Sequence, residues 1–411
     1  MEYGFLSQYF TAVAAKKLSA VETNPATSNQ HEFNGVAHLK AMFGREKRDF
    51  QAQFVYFSDD DDEPVRDKGT LTWYDARANH ASRTEYRLYY TGNAVSTVWA
   101  ARDDLFIALR PDNTLLVVVT LAGSTIGHQL QWLFGLESGN RFDIRDKLEN
   151  DLVAFSSRFI IEHLGITIEI SEDNHLDEML SRFGGGFPST RVFSAYAQET
   201  LPNVHARDNP DFVLMQWMEQ EERLFRTLEK NLIETRLREG FDDVDSFLHF
   251  SLSVQNRRKS RAGQALENHV EALLKARSIR YARTAVTENR SKPDFLFPGS
   301  KDYHDENFDT QLLTMLGVKS TCKDRWRQVL SEAQRIQRKH LLTLEPSISK
   351  NQTDEMQARQ LQLVLPEQIH GTYTQTQQQW LMSVHDFLEH VQFNQRRMTI
   401  GESHSTIKKN P

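Results

Sequence analysis

Asp294, Lys319 and Glu332 have the types and spacing for phosphodiester chemistry. Asp294 follows Pro293 at the head of an apolar run, Lys319 closes a second apolar run 25 residues on, and Glu332 lies a further 13 residues along. Hydrolysis of a phosphodiester needs a water made nucleophilic and a leaving oxyanion made tolerable, and a carboxylate-held Mg²⁺ serves both needs. Mg²⁺ keeps several waters, so one or two carboxylates suffice to hold it. A neighbouring lysine can orient the water or stabilise charge in the transition state. Carboxylate and lysine on adjacent strand ends are the arrangement this chemistry requires. Pro-Asp and lysine are common, however, and the bare pattern also arises by chance.

From Lys319 to His340 the chain carries seven Lys or Arg and two acids, a local charge of about +5 in 22 residues with His neutral. Within it stands the triplet Lys323, Asp324, Arg325. In a major groove Arg or Lys donates to guanine and Asp accepts from cytosine, so such a triplet at a helix start can read adjacent G·C pairs. The same residues also fit an Asp324 N-cap flanked by surface charges. Arg327, Arg335, Arg338 and Lys339 fit either phosphate contacts or a solvated helix face. Cys322 has no evident base partner and reads as structural. The acidic run Asp59 to Glu63, closed by Pro64, reads as a solvated turn, with a cation site as the alternative.

The elements that must position these residues divide the chain in two. Residues 1–170 are rich in short strands (51–57, 70–75, 85–92, 104–110, 114–123), followed by a helix over 143–165. This fits a β-rich barrel capped by helices. Residues 171–205 are polar, contain three consecutive glycines and a proline, and read as a linker with room for a short helix. From 206 to 400 come helices over 211–240 and 261–277 and strands over 279–286, 294–299 and 311–320. A helix over 324–340, strands over 340–346 and 361–369, and a last helix over 377–393 complete an α/β domain. Residues 401–411 read as a frayed tail.

A chain of 411 residues is ample for two domains, each with its own core. The net charge of −7 does not exclude nucleic acid, because a DNA footprint is a local patch. No run of about 18 apolar residues spans a membrane, and the start MEYGFLSQYF lacks a signal segment. The single cysteine excludes an intramolecular disulfide and a cysteine-rich zinc site, and points to the cytoplasm. Neither a phosphate-binding glycine loop nor a zinc pattern supports an enzyme acting on something other than DNA.

KPDFLFPG, YHDENF, LLTMLGVKSTCKDRWRQVLSEA and KHLLTLEP together resemble the catalytic C-terminal domain of the EcoRII family of restriction endonucleases, over roughly residues 205–395. The resemblance implies a PD-(D/E)XK core in which Asp294 binds the metal, Lys319 is the catalytic lysine, Glu332 is the displaced second acid and Tyr303 is the active-site tyrosine. The residues before Lys319 lack the acid that the simplest motif has there, a departure the family shares. Glu267 matches a glutamate that related nucleases carry on an early helix, with Glu271 one turn away as the alternative. Lys323, Asp324 and Arg325 match the triplet that the family uses on CC/GG half-sites.

The segments 17–36 and 82–92 resemble, over a shorter stretch, the two DNA-grasping segments of the family's N-terminal DNA-binding pseudobarrel. Arg83, Glu85 and Arg87 fit its recognition cluster, alternating on one strand face, with Asn29 and His31 as candidates in the first segment. An ordinary exposed strand with alternating charges would look similar. The implied protein is a Mg²⁺-dependent homodimer that cuts double-stranded DNA at a CCWGG- or CCNGG-like site, leaving 5′-phosphate ends. Its N-terminal domain would bind effector DNA and restrain cleavage, and a cognate methyltransferase would protect the host. The competing expectations are a DNA-binding regulator with an inert nuclease domain, and a modification-dependent or repair nuclease.

Overall fold

A computed structural model describes residues 5–23, 31–58, 63–80, 82–148, 155–166, 174–322 and 325–407. The chain divides into two compact units: Met1–Glu169 with Pro346–Asn351, and Ile170–Glu345 with Gln352–Pro411.

The first unit is built on an eight-stranded sheet. Its strands are β1 (Ala12–Lys17), β2 (Glu32–Phe33), β3 (Arg48–Phe57), β4 (Val65–Asp75), β5 (Tyr86–Tyr90), β6 (Asp104–Leu109), β7 (Leu115–Thr120) and β8 (Asp143–Arg145). The order is β2-β5-β4-β3-β7-β6-β1-β8, antiparallel except for the parallel pair β3–β7. Alternation decides the faces. Phe50, Phe54, Leu71, Trp73, Leu88 and Val117 point into one core, as a period of two requires. β6 and β7 are buried along their whole length, and the helix Thr125–Phe134 accounts for part of the second cover: Phe134 packs against Phe106 on β6, their ring centres 6.3 Å apart. Within the same unit, the side-chain amide of Gln129 donates to the Pro346 carbonyl at 3.1 Å.

The expected helix over 143–165 is shorter. Asp143–Arg145 pair antiparallel with β1, which offers an open edge there, and the helix spans Phe155–His163. The acidic residues 59–62 lie outside the described residues.

The second unit has a five-stranded mixed sheet in the order β13-β12-β11-β10-β9. Its strands are β9 (Ala282–Arg283), β10 (Phe295–Phe297), β11 (Thr314–Val318), β12 (Lys339–Leu342) and β13 (Leu361–Val364). The contacts β9–β10–β11 are antiparallel and β11–β12–β13 parallel. β10 to β13 are buried throughout, which is why β10 and β11 read as mostly apolar runs rather than alternating ones. β9 is only a fragment of the expected 279–286 strand, because Ser278 and Thr284 adopt left-handed φ of 55° and 53° at its borders.

Long helices pack around this sheet. Pro210–Glu239 starts with Asn209 accepting from Asp211 N and Phe212 N and with proline at its first position. Val244–Ala276 opens with an Asp243/Ser246 capping box and runs well beyond the expected 261–277. The expected linker 171–205 is instead part of this unit. Helices Leu176–Phe183 and Thr190–Glu199 bury Met179, Phe193 and Tyr196 against Leu224, Phe225 and Leu228. The glycine run does end a helix, Gly184 taking φ 67°, but apolar residues on both sides make a core.

The last helix differs as well. Met382 N donates to Leu363 O and Leu365 N to Met382 O, so the chain crosses the β13 edge before the helix Val384–Ile407 begins. Residues 401–407, expected in a frayed tail, continue that helix. No described helix is long and apolar enough to cross a membrane.

Candidate active site

β10 and β11 run antiparallel with Phe295 opposite Leu316, which brings Asp294 beside the end of β11. The Asp294 Oδ2 accepts from Val318 N at 2.6 Å and from Lys319 Nζ at 2.8 Å. Lys319 N in turn donates to Leu342 O on β12, which fixes the lysine's backbone at the sheet end. Among the described residues the other oxygen of Asp294 takes no hydrogen bond.

Glu332 is the third member. Burial and the Asp294 charge push its carboxyl up to about 7, with Lys319 and Lys339 pulling the other way. Its Oε2 is buried and, among the described residues, has no hydrogen-bond partner. An orphaned carboxylate oxygen sharing the field of a second carboxylate and a lysine is a site that a divalent cation would complete.

Glu332 is not on the expected helix over 324–340. That helix ends at Leu330, and Ala333 turns the backbone to φ 46°. The physical reason is that the next amides have other partners. Ala333 N donates to Thr287 Oγ1 at 3.4 Å, Gln334 N to Glu288 Oε2 at 3.1 Å, and Arg335 N to Tyr303 Oη at 3.3 Å. From the far side, the buried Lys339 donates to the carbonyls of Ala333 and Ile336.

Two glutamates on the helix Val244–Ala276 are now distinguishable. Glu267 accepts from Arg283 Nη2 at 2.9 Å. Burial raises its carboxyl, the Arg283 bond opposes this, and the Asp294 charge raises it further. Glu271 is instead saturated by Tyr281, Arg191, Arg283 and Lys275. Burial works against its ionised form, but those donors and charges hold it at about 2. Glu267 therefore shares the field of Asp294, and Glu271 serves to fix Arg191, Tyr281 and Arg283.

Tyr303 is buried, and its hydroxyl donates to both oxygens of Glu288, at 2.7 and 2.6 Å. It bonds to none of Asp294, Lys319 and Glu332; its reach to the site runs through the 333–335 backbone. Lys323 and Asp324 lie outside the described residues. Arg325 is exposed and donates to Thr321 at 3.0 Å. The flanking cations have internal partners: Arg327 pairs with Glu355, Arg335 with the carbonyls of Tyr303 and Asp305, and Arg338 with Gln362. Cys322 is buried, burial raises its thiol, and its N–H donates to Glu345.

In the first unit Asn29 lies outside the described residues, and His31 packs edge-on to Tyr90 at 5.3 Å. Arg83 is exposed, and β5 begins only at Tyr86. Arg87 bonds to Glu85 at 2.9 Å and to Glu32 at 3.3 Å, Arg77 pairs with Glu85 at 2.5 Å, and Tyr74 donates to Glu32 at 3.2 Å. Glu32, Tyr74 and Arg77 extend the charged strip beyond the residues picked from sequence. In the second unit Thr287, Glu288 and Arg283 were likewise missed. Only Arg283 carried a signal, two positions from Tyr281 on one strand.

No group of three or more His, Cys, Asp or Glu side chains among the described residues is arranged to hold a metal by itself. The donor set is two carboxylates with free oxygens, Asp294 and Glu332, and Mg²⁺ accepts one or two carboxylates plus water. The residues present fit that ion.

Residues 225–388 match the family described as EcoRII C terminal. A type II restriction enzyme, EcoRII of Escherichia coli, is 38% identical over 225 residues, 54% of this chain and 55% of that protein. The chain thus spans about half the length of that curated relative. Two solved structures are similar at a TM-score of 0.44. A metal-depleted Ecl18kI in complex with uncleaved, modified DNA is 18% identical over 56% of this chain and 86% of its own. A PspGI–substrate DNA complex is 17% identical over 56% of this chain and 98% of its own.

Proposed function

From a chain whose residues 225–388 match the family described as EcoRII C terminal, we propose a type II restriction endonuclease that hydrolyses double-stranded DNA at a short G·C-containing site. The observation that carries this reading is the convergence of Asp294, Lys319 and the orphaned Glu332 at the end of the sheet. Asp294 and Glu332 would hold Mg²⁺. When bound, the ion supplies Lewis acidity toward a phosphate oxygen and acidifies a water. Lys319, held against Asp294, presents its ammonium to the charge that builds on the phosphorus oxygens. Glu267 adds a nearby carboxylate kept in register by Arg283.

Lys323, Asp324 and Arg325 would read the G·C pairs of a CCWGG- or CCNGG-like site. The N-terminal unit would bind a second, effector copy of DNA through the strip containing Arg83, Glu85 and Arg87, with Asn29 and His31 alongside, and would regulate cleavage. Its pairing of Arg with Glu suits base-edge contacts. A homodimer suits a nearly palindromic site. The exposed stripe Val244, Leu248 and Leu252, at helical spacing, gives a second copy an apolar surface to cover. A cognate methyltransferase belongs to such a system.

The test is cleavage of unmethylated phage DNA with Mg²⁺ by the wild type and Asp294→Ala, with cut ends sequenced. Discrete fragments sharing one motif, lost in the variant, support the reading. A folded wild type that binds one sequence without cutting it refutes it in favour of a regulator. Cutting only of methylated DNA refutes it in favour of a modification-dependent nuclease.

A further inference from the structure

We infer that Glu288 is a positioning residue that sets Glu332 in the metal site by clamping the backbone just after it. This rests on the proposed reading of Glu332 as a metal ligand. Glu288 opens a short turn, Glu288–Arg290, whose next two residues hold left-handed φ of 57° and 60°. Neither Asn289 nor Arg290 is glycine, so the turn stores backbone strain that its surroundings must hold in place. What the turn achieves is to aim the Glu288 carboxylate at a single target. It accepts from Tyr303 Oη at 2.7 and 2.6 Å and from Gln334 N at 3.1 Å.

The clamp has three further points. Thr287, the residue before Glu288, receives Ala333 N, and Tyr303 Oη receives Arg335 N. Lys339 holds the carbonyls of Ala333 and Ile336 from the opposite side. Amides 333, 334 and 335 are thereby all bound by side chains. Among the described residues nothing donates a hydrogen bond to the buried Oε2 of Glu332. Its direction is set by its own backbone, and that backbone is set by this clamp. Groups that orient a ligand in this way typically cost 10- to 100-fold in metal affinity when removed.

The experiment is Mn²⁺ binding to the full chain, read from the free-ion paramagnetic signal, with folding checked by circular dichroism. The variants are Glu288→Ala, Glu288→Gln, Tyr303→Phe, Glu332→Ala and the double variant Glu288→Ala/Glu332→Ala. Glu288→Ala should weaken Mn²⁺ binding about tenfold, and Glu288→Gln, which keeps an acceptor oxygen, should restore most of it. Tyr303→Phe should weaken binding by a smaller factor. The double variant should be no weaker than Glu332→Ala, because Glu288 acts only through Glu332. Wild-type affinity in folded Glu288→Ala overturns the inference, and if that variant does not fold, wild-type affinity in Tyr303→Phe does so. A loss from Glu288→Ala that persists in the Glu332→Ala background overturns it as well. Equal affinity of wild type and Glu332→Ala sinks the metal-site reading itself, and the inference with it.

Discussion

The charged strip around β2, β5 and the end of β4 and the acid–lysine site at the end of β10 and β11 both pair carboxylates with cations but differ in what is left unpaired. On the strip Arg77, Glu85, Arg87 and Glu32 form a linear chain of ion pairs, more exposed at Arg77 and Glu85 (44% and 36%) than at Arg87 and Glu32 (31% and 15%). At the sheet end Lys319 and Asp294 are 19% and 14% exposed, and near them stands a buried Glu332 oxygen without a hydrogen-bond partner among the described residues. Exposed pairs are worth little, because water and salt screen them. The buried, incomplete set is expensive in the folded protein alone, and such expense is what a catalytic metal relieves. A saturated strip can exchange its partners for base edges; an unsaturated pocket can hold an ion. On the proposed reading, what separates a base-contacting strip from a metal-holding pocket is which groups are left unpaired.

The largest effect that would sharpen this contrast is at the sheet end. Asp294→Asn should reduce single-turnover cleavage by about a thousandfold while gel-shift affinity for target DNA persists. Cleavage within tenfold of wild type would place the chemistry elsewhere. Next comes Gly317→Val. A Cβ there would sit 2.9 Å from a Val329 methyl on the helix that leads to Glu332. Overpacking should cost about 1–3 kcal/mol, seen as a lowered urea midpoint for the second unit alone. An unchanged midpoint would mean that the helix Trp326–Leu330 yields freely.

Arg87→Ala should weaken binding of duplex to the N-terminal unit by about 1–3 kcal/mol. It should shift the thermal stability of that unit by no more than about 1 kcal/mol, since its pair with Glu85 lies near the surface and its pair with the half-buried Glu32 is long, at 3.3 Å. A large loss of stability with unaltered DNA binding would make the strip structural and erase the contrast.

Acid offers a smaller, continuous probe. Burial, with lesser pushes from His390 and Arg338, holds His340 neutral and its imidazole down to about 3, against 6.5 for the free side chain. The unfolded chain therefore takes up this proton first. Stability from this group is complete above about pH 6.5 and is lost, at up to about 1.4 kcal/mol per pH unit, as pH falls toward 3. His340→Leu should flatten the acid limb of unfolding of the second unit. An acid limb as steep as in the wild type would exclude His340 as its source.

Residue types and order alone determined much of this protein. Short runs rich in β-branched and aromatic residues marked β3 to β7 within about five residues, since such side chains pack well on a pleated sheet. Continuous apolar runs marked β10, β11 and β13, and Pro293-Asp294 with Lys319 marked the site. Tertiary structure alone decided the rest. The polar, glycine-containing stretch 171–205 forms two helices because Phe193 and Tyr196 find Leu224 and Phe225, residues about thirty positions away. The basic run after Lys319 looked helical by composition, yet it stops at Leu330 because Thr287, Glu288 and Tyr303 offer its amides better-placed acceptors. Glu271 and Glu267 are one turn apart and chemically identical, and only the donors around them separate a saturated acid from one facing Asp294. Spacing encodes which face a residue occupies, because that follows from local geometry. Which groups are left unpaired depends on neighbours distant in the chain, and no local pattern records them.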